Sequence, residues 1–313
     1  MRVTLIHNPK AGKGHPTGVE LKTLVKEAGH KVLYQSSKEK KWKRALKSAA
    51  DLIAVAGGDG TIRKVATRLA GHSVPLTIFP LGTANNIAKS LGINGTLEQL
   101  VAGLEQARRR QVDVGVVCAP WGKTRFIEGL GCGLFTDVMA ALDAKKKKRR
   151  KMFEPTDNPL APALRALHDA LAGYRALKVQ ATLDGADMSG HYLMLEAMNI
   201  RHLGPNLLLA PNADPGDGLL DFVLLTEDKR QEFADYLAYR LEGKQDAPFL
   251  PIRRGKCLKL KWSGLKLRLD DKLWQEVKKD KKHRKKRKKK QMSAPAVIKI
   301  KVKKQALEFL IPA

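Results

Sequence analysis

The stretch "AVAGGDGTIRKVA", residues 54–66, places three glycines and an aspartate between an apolar run and a helical pattern. Gly57, Gly58 and Gly60 open backbone angles closed to other residues and let main-chain N–H groups approach an anion. A helix beginning near Thr61 and continuing through Ile62, Arg63 and Lys64 adds its positive end. Asp59 is the unusual member of such a cradle. Its carboxylate suits a metal beside phosphate or a polarised hydroxyl, and equally an ordinary helix N-cap. The spacing is not the dinucleotide fingerprint G-x-G-x-x-G. A second loop, "HNPKAGKG" at 7–14, carries Asn8, which suits a base or ribose, and Lys10 and Lys13, which suit phosphate. It lacks the leading glycine and the Ser or Thr of a Walker A loop. A third, "PLGTANNIAKSLGI" at 80–93, repeats the order strand, Gly82-Thr83, helix, with Thr83 placed to cap that helix.

Alternating strand and helix patterns position these loops. "RVTLI" reads as a strand, followed by a helix at 17–28 with Thr17 and Glu20 at capping-box spacing. "KVLYQ" is a second strand, "KWKRALKSAA" a short helix, and "DLIAVA" a strand buried on both faces. "LTIFP" and the helix "TANNIAKSLG" follow, then a capped helix from Thr96 with Gln99, and "VDVGVV" ends the series. This βαβα order predicts an α/β domain over residues 1–122 with a parallel sheet. The three loops then share the sheet's C-terminal edge, where ligands bind. Beyond residue 123 the pattern changes. "RFIEGLGCGLFTDVMAAL" reads as strand, glycine turn and helix, a helix spans 159–173, and another lies near 229–243. "LKVQATL", "HYLMLEAMN", "LLDFVLL", "CLKLKW", "LKLRL" and "VIKIKV" predict a mainly antiparallel β-sandwich domain over 123–303. The apolar tail 304–313 is expected to pack back on the first domain.

The 313 residues suit two domains. Three scattered cysteines, Cys118, Cys132 and Cys257, argue against a disulfide framework or zinc site and fit a reducing, cytoplasmic compartment. No signal peptide is legible, and no run approaches the ~18 apolar residues of a spanning helix. The net charge of +28 is concentrated in "KKKKRRK" at 145–151 and "KKDKKHRKKRKKK" at 278–290, both expected as basic loops. Such charge implies an anionic partner. An anionic membrane surface is favoured over nucleic acid, because no aromatic residue interleaves the 278–290 run. A homodimer is left open.

Taken in order, "NPKAGKG", "AVAGGDGTIRKVA", "PLGTANNIAKSLGI", "GLGCG" and "APNADPGDGLLDFVLL" resemble the diacylglycerol kinase and sphingosine kinase catalytic superfamily, most of all its bacterial soluble lipid kinases. The likeness runs from residue 1 to about 225 and more faintly beyond. It implies a two-domain kinase with an N-terminal domain like that of NAD kinases and phosphofructokinases, ATP and Mg2+ as cofactors, and a diacylglycerol-like or other long-chain lipid as acceptor. The protein would work at the inner membrane surface as a peripheral enzyme. By the resemblance, Gly57 to Lys64 hold the triphosphate. Asn8, Pro9, Lys10, Ala11 and Gly12, with Ser36 or Ser37, Gly82, Thr83 and Asn85, line the nucleotide. Asp217 gives a carboxylate to a structural magnesium, and Asp214 and Leu219 give carbonyls. Two positions depart from the family. Asn85-Asn86 stands where it has Asn-Asp, and Asp270-Asp271-Lys272 where a late strand ends in Asp-Gly-Glu, whose glutamate looks like the general base. A charged lysine accepts no proton, which leaves Asp271 as base, Asp59 in that role, or a weakened or absent activity. NAD kinase, which shares GGDGT, is the enzymatic alternative. A catalytically inactive, basic membrane- or nucleic-acid-binding adaptor is the other.

Overall fold

In the computed structural model, residues 1–148, 158–244, 247–274 and 296–313 are described. The first strands are β1 (Arg2–His7), β2 (Lys31–Ser36), β3 (Leu52–Gly57) and β4 (Leu76–Pro80). They pair in parallel in the order β4-β3-β1-β2. Helices α1 (Gly18–Glu27), α2 (Asp59–Leu69), α3 (Asn86–Leu91) and α4 (Leu97–Ala102) connect and flank them. The capping boxes Thr17–Glu20 and Thr96–Gln99 both form. Trp42–Lys47 winds as a 3-10 turn. Ile62, Val65, Ala66 and Leu69 of α2 pack into the same core as the buried β3, which fixes the helix against the sheet.

Next come β5 (Arg108–Ala119), β6 (Gly122–Phe126) and β7 (Gly129–Gly133), then α5 (Leu134–Lys148) and α6 (Ala161–Leu171). The strands β8 (Leu177–Leu183), β9 (Ala186–Asp187), β10 (Gly190–Tyr192), β11 (Met194–Met198), β12 (His202–Leu203), β13 (Leu207–Leu208) and β14 (Leu220–Leu225) follow. The chain ends with α7 (Arg230–Leu241), β15 (Ile252–Gly255), β16 (Cys257–Lys261), β17 (Leu267–Leu269), β18 (Lys272–Trp274) and β19 (Val297–Ile311). One face of the sandwich is the six-stranded sheet β15-β14-β11-β7-β17-β18. The other runs β10-β8-β16-β19 and continues into β4, because β19 pairs parallel with β4 at Phe309 and Leu76. A core of Val117, Phe126, Leu195, Phe222, Leu258 and Ile300 lies between the two sheets. Helices α5, α6 and α7 cover the outer face of the six-stranded sheet through Val138, Leu164, Leu167, Phe233 and Leu237.

Four local readings change. "VDVGVV" does not close the parallel series. It lies in β5, which pairs antiparallel with β19 and β6, because the C-terminal strand takes the place beside β4. "GLGCG" is the buried strand β7 rather than a turn; a side chain at Gly131 would collide with the buried Glu196 on β11. "HYLMLEAMN" divides at Leu193 into β10, paired with β8, and β11, paired with β7 and β14. The basic run at 145–151 is not a loop at its start, since lysines sustain a helix and α5 continues to Lys148. Residues 149–151 and 278–290 lie outside the described residues.

Candidate functional site

The loops after β1, β3 and β4 meet at the C-terminal edge of the parallel strands. The Asn8 N–H donates to the Ala56 carbonyl at 2.9 Å, and a methyl group at Gly12 would lie 3.8 Å from the Leu81 carbonyl oxygen. The closest approach is between glycines: a methyl at Gly82 would stand 2.5 Å from Gly58 Cα. Only two residues without side chains allow the two loops to abut. Asn85, in the left-handed region with φ 52°, fastens its own loop. Its amide side chain accepts from the Gly82 N–H and donates to the Gly82 carbonyl, both at 2.9 Å. Gly12, Lys13 and Gly14 all take positive φ, so the 7–14 loop coils into one 3-10 turn. Lys10 and its neighbour Pro9 are exposed, Ala11 closes the turn on the Asn8 carbonyl, and the Ser36 hydroxyl accepts from the Lys38 N–H at 3.2 Å.

Asp59 does not cap its own helix; Gly58 is the N-cap of α2. The half-buried Asp59 carboxylate instead accepts the Asn86 N–H at 3.1 Å and the Ile87 N–H at 3.0 Å, the free donors of α3. Thr83, read as the cap of that helix, is exposed, and Asn85 takes the N-cap position without a side-chain bond. Burial pushes the Asp59 carboxyl above its ordinary range, against these backbone bonds.

The other wall comes from the turn between β17 and β18. Asp270, with φ 49°, is buried. Its Oδ1 accepts the N–H groups of Ile127, Glu128 and Gly129 at 3.1, 2.9 and 3.3 Å. Burial raises its carboxyl to about 6, opposed by those bonds and by Arg63. Asp271 next to it is exposed. Its Oδ1 pairs with Arg63 Nη2 at 2.8 Å, and its Oδ2 would lie 3.1 Å from a methyl at Gly60. Asp271 therefore stands directly over the glycine loop. Lys272 follows in β18, exposed. The Lys64 ammonium is pulled below its usual range by burial first, then by Lys38, Lys272 and Arg63, while Asp271 opposes. Four cations and one accessible carboxylate thus surround the mouth of the cleft.

Glu128 escaped the sequence reading, and Arg63, expected only at the triphosphate, has a second partner set. Arg63 ties the turn to α2, with Nε 3.8 Å from Asp270 and Nη2 on Asp271. Glu128 is buried between the domains and accepts from Asn86 Nδ2 at 3.3 Å. Its carboxyl is driven well above the ordinary range by burial, then by Asp59 and Asp270. A carboxyl thus sits against Asn86, the position where the aspartate of the resembling family is missing. The signal lay in "FIEGLG", where one acidic residue interrupts an apolar, glycine-rich strand sequence.

The Asp214–Leu219 segment is a tight turn before β14. Asp214 pairs with Arg110 at 2.9 Å and accepts the Gly216 N–H at 3.0 Å. Asp217 accepts the Leu219 N–H at 2.8 Å and pairs with Arg254. Among the described residues no three His, Cys, Asp or Glu side chains gather as a metal cage. The loop carboxylates are neutralised by guanidinium groups, so a cation ligated by Asp217 would have to displace Arg254.

Residues 2–117 match the diacylglycerol kinase catalytic domain, and residues 136–270 match the YegS C-terminal NAD kinase beta sandwich-like domain. A diacylglycerol kinase of Bacillus subtilis (strain 168) is 25% identical over 265 residues, 78% of this chain and 80% of its own. A diacylglycerol kinase of Mycobacterium tuberculosis is 27% identical over 187 residues, 59% of this chain and 58% of its own. A probable lipid kinase of YegS-like type from Pseudomonas syringae pv. tomato is 31% identical over 218 residues, 68% of this chain and 65% of its own. The matches to the last two span less than two thirds of those proteins. A crystal structure of a Bacillus anthracis diacylglycerol kinase superposes with a TM-score of 0.69 at 21% identity, covering 99% of this chain and 96% of that one. Yeast NADH kinase in complex with NADH superposes at 0.52 with 8% identity, covering 100% and 84%. At such identities the superpositions speak to the fold alone.

Proposed function

Because the chain belongs to the diacylglycerol kinase catalytic superfamily, we propose that it transfers the γ-phosphoryl group of ATP to a hydroxyl of a diacylglycerol-like or related long-chain lipid. The observation that carries this reading is the cleft mouth itself. Gly58 and Gly82 abut, and Asp271 stands over Gly60 on the opposite wall. In this reading the loop from Gly57 to Thr61, with Ile62 behind it, cradles the triphosphate, and Arg63 and Lys64 supply positive charge; the Thr61 and Ile62 N–H groups themselves donate to the Gly58 carbonyl and brace the loop. Asn8 to Gly12, Ser36, Thr83 and Asn85 line the nucleotide. The acceptor oxygen forms a bond to the γ-phosphorus as the bond to the β–γ bridging oxygen breaks and ADP leaves. The acceptor proton goes to Asp271, the accessible carboxylate at that place. Asp59 acts by holding the α3 N-terminus against the loop rather than by accepting the proton. Such transfer depends mainly on positioning and charge neutralisation. Magnesium would arrive with the nucleotide, screening its charge.

The same reading puts the protein at the cytoplasmic face of an anionic membrane. No helix among the described residues is long and apolar enough to cross one. Trp121 packs on Trp262 and Trp274 at centroid distances of 4.6 and 5.5 Å, and the sequence from Trp274 leads into the 278–290 basic run. Tryptophan and lysine together suit an interface with anionic lipid.

The test is radiolabelled ATP with a panel of diacylglycerol, sphingosine and other long-chain alcohols, with magnesium or manganese. One lipid should be labelled, and Asp271→Asn should lower the rate by roughly 10²–10⁴-fold. No labelled lipid under any metal condition overturns the proposal. That outcome would favour a binding protein without transferase activity, to which Lys272 in the mouth of the cleft also points.

A further inference from the structure

A second cleft, of about 540 Å³, opens on the other side of Arg63. Arg63, Thr67 and Arg68 of α2 form one wall, and Lys123, Thr124 and Arg125 of the edge strand β6 form the other. It is a different place from the glycine loop: Thr67 lies seven residues beyond Gly60, roughly 10 Å along the helix axis. Its six lining residues bring four cations and two hydroxyls together and include no carboxylate.

Arg63 is paired with Asp270 and Asp271, whereas Arg68, Lys123 and Arg125 have no carboxylate partner among the described residues. Arg125 Nη1 donates to the Thr67 carbonyl at 3.1 Å, which joins β6 to α2 across the cleft. Arg68 Nη1 donates to the Lys64 carbonyl at 2.5 Å, and its guanidinium lies 5.2 Å from the Trp42 ring centroid. Neither bond consumes a counter-charge. Lys123 is exposed at the rim. Holding like charges this close is unfavourable without a shared anion. Guanidinium forks and the Thr124 hydroxyl around one small volume suit the several acceptor oxygens of a phosphate, while the Thr67 hydroxyl already donates to the Arg63 carbonyl at 2.7 Å. The cleft has room for one phosphorylated headgroup, and no aromatic ring lines it to stack a base.

We infer that this cleft is a binding site for a phosphomonoester, separate from the nucleotide cleft and coupled to it through Arg63. Arg63 belongs to both. One side of it pairs with Asp270 and Asp271, and the other faces the second cleft. A bound phosphate competes with Asp271 for the guanidinium and so frees the carboxylate over the glycine loop. Two sources share this chemistry: the headgroup of a phosphorylated lipid, which rests on the kinase reading because such a lipid would be its product, and a small soluble phosphomonoester, which does not.

The test measures binding, so it stands whether or not the protein is a kinase. The full chain is titrated calorimetrically with glycerol 3-phosphate and with inorganic phosphate, and is floated with vesicles containing phosphatidic acid or, at matched charge, phosphatidylglycerol. Lys123→Glu combined with Thr124→Ala should weaken phosphomonoester binding about tenfold, with the milder Lys123→Gln intermediate. Lys26→Glu, the same charge change on α1, should leave it unchanged. Asp271→Asn should tighten it about threefold by releasing Arg63. Preference for phosphatidic acid vesicles identifies the lipid source; binding of glycerol 3-phosphate without that preference identifies the soluble one. Equal weakening by Lys26→Glu, full binding in the Lys123→Glu/Thr124→Ala variant, or no phosphomonoester binding at all overturns the inference.

Discussion

Glu128 and Asp270 place two carboxyl groups at the domain junction in an environment that favours their neutral forms. Both are raised by burial, and Asp59 adds to the effect on Glu128. The sign of the pH effect follows from an acid whose folded value exceeds its unfolded one. For Asp270, stabilisation is complete below its ordinary value of 3.8 and is lost as pH rises through about 6. The protein should therefore resist urea better at pH 5 than at pH 7 by way of these groups. Glu128→Gln keeps an acceptor for Asn86 and is neutral at every pH. It should flatten that difference by about 1 kcal/mol or more in unfolding free energies from urea titrations at the two pH values. An unchanged slope would mean that Glu128 ionises freely. The buried pair Arg268 and Glu196, 2.7 Å apart, stands behind this cluster. Arg268 also donates to the Asp270 carbonyl and lies over the Phe135 ring, so the turn that presents Asp271 is anchored from within.

At the scale of elements, the site is an agreement between α2, α3 and the loops that start them. The strand and turn patterns of "GGDGT" and "PLGTANN" were legible because turn chemistry is local, and Asn85 takes the left-handed conformation its residue type favours. The glycine angles expected in "GGDGT" are not used: Gly58 is extended, and its missing side chain serves the close approach to Gly82 instead. The destination of Asp59 was not legible, since its partners Asn86 and Ile87 are 27 and 28 residues away. The backbone contact between Gly58 and Gly82 is equally non-local. Gly82→Ala should force the two loops apart, because its methyl would stand 2.5 Å from Gly58 Cα. The expected cost is about 1–3 kcal/mol of stability together with weaker ATP binding, read by thermal melts with and without nucleotide. Full ATP binding in this variant would show that the abutment is not needed to shape the cradle.

At the scale of the whole molecule, the C-terminal strand joins what the sequence divides. β19 runs for 15 residues, pairing with β16 and β5 and then with β4 of the parallel sheet. Asp113 reinforces the joint by accepting the N–H groups of Gly218 and Gln305, both at 2.6 Å. Phe309, 1% exposed, fills the core beside β4. Phe309→Ala should cost about 3–5 kcal/mol, and nucleotide binding should fall with stability because the strand braces the edge of the domain that carries the loops. A melt that loses only its sandwich-domain transition would contradict that coupling. The alternation of strand and helix over the first hundred residues identified the α/β layer, and alternating apolar positions identified the sandwich. By itself, the sequence determined the local things: the three loops, their helices, the two capping boxes and the family they resemble, because turn residues, caps and hydrophobic period act over a few positions. Only the tertiary structure decided that Asp59 serves α3, that Glu128 faces Asn86, and that Asp271 stands over Gly60 with Arg63 as its partner. Those relations join residues far apart in the chain, and burial and close approach, which set their chemistry, exist only once the sheets have packed.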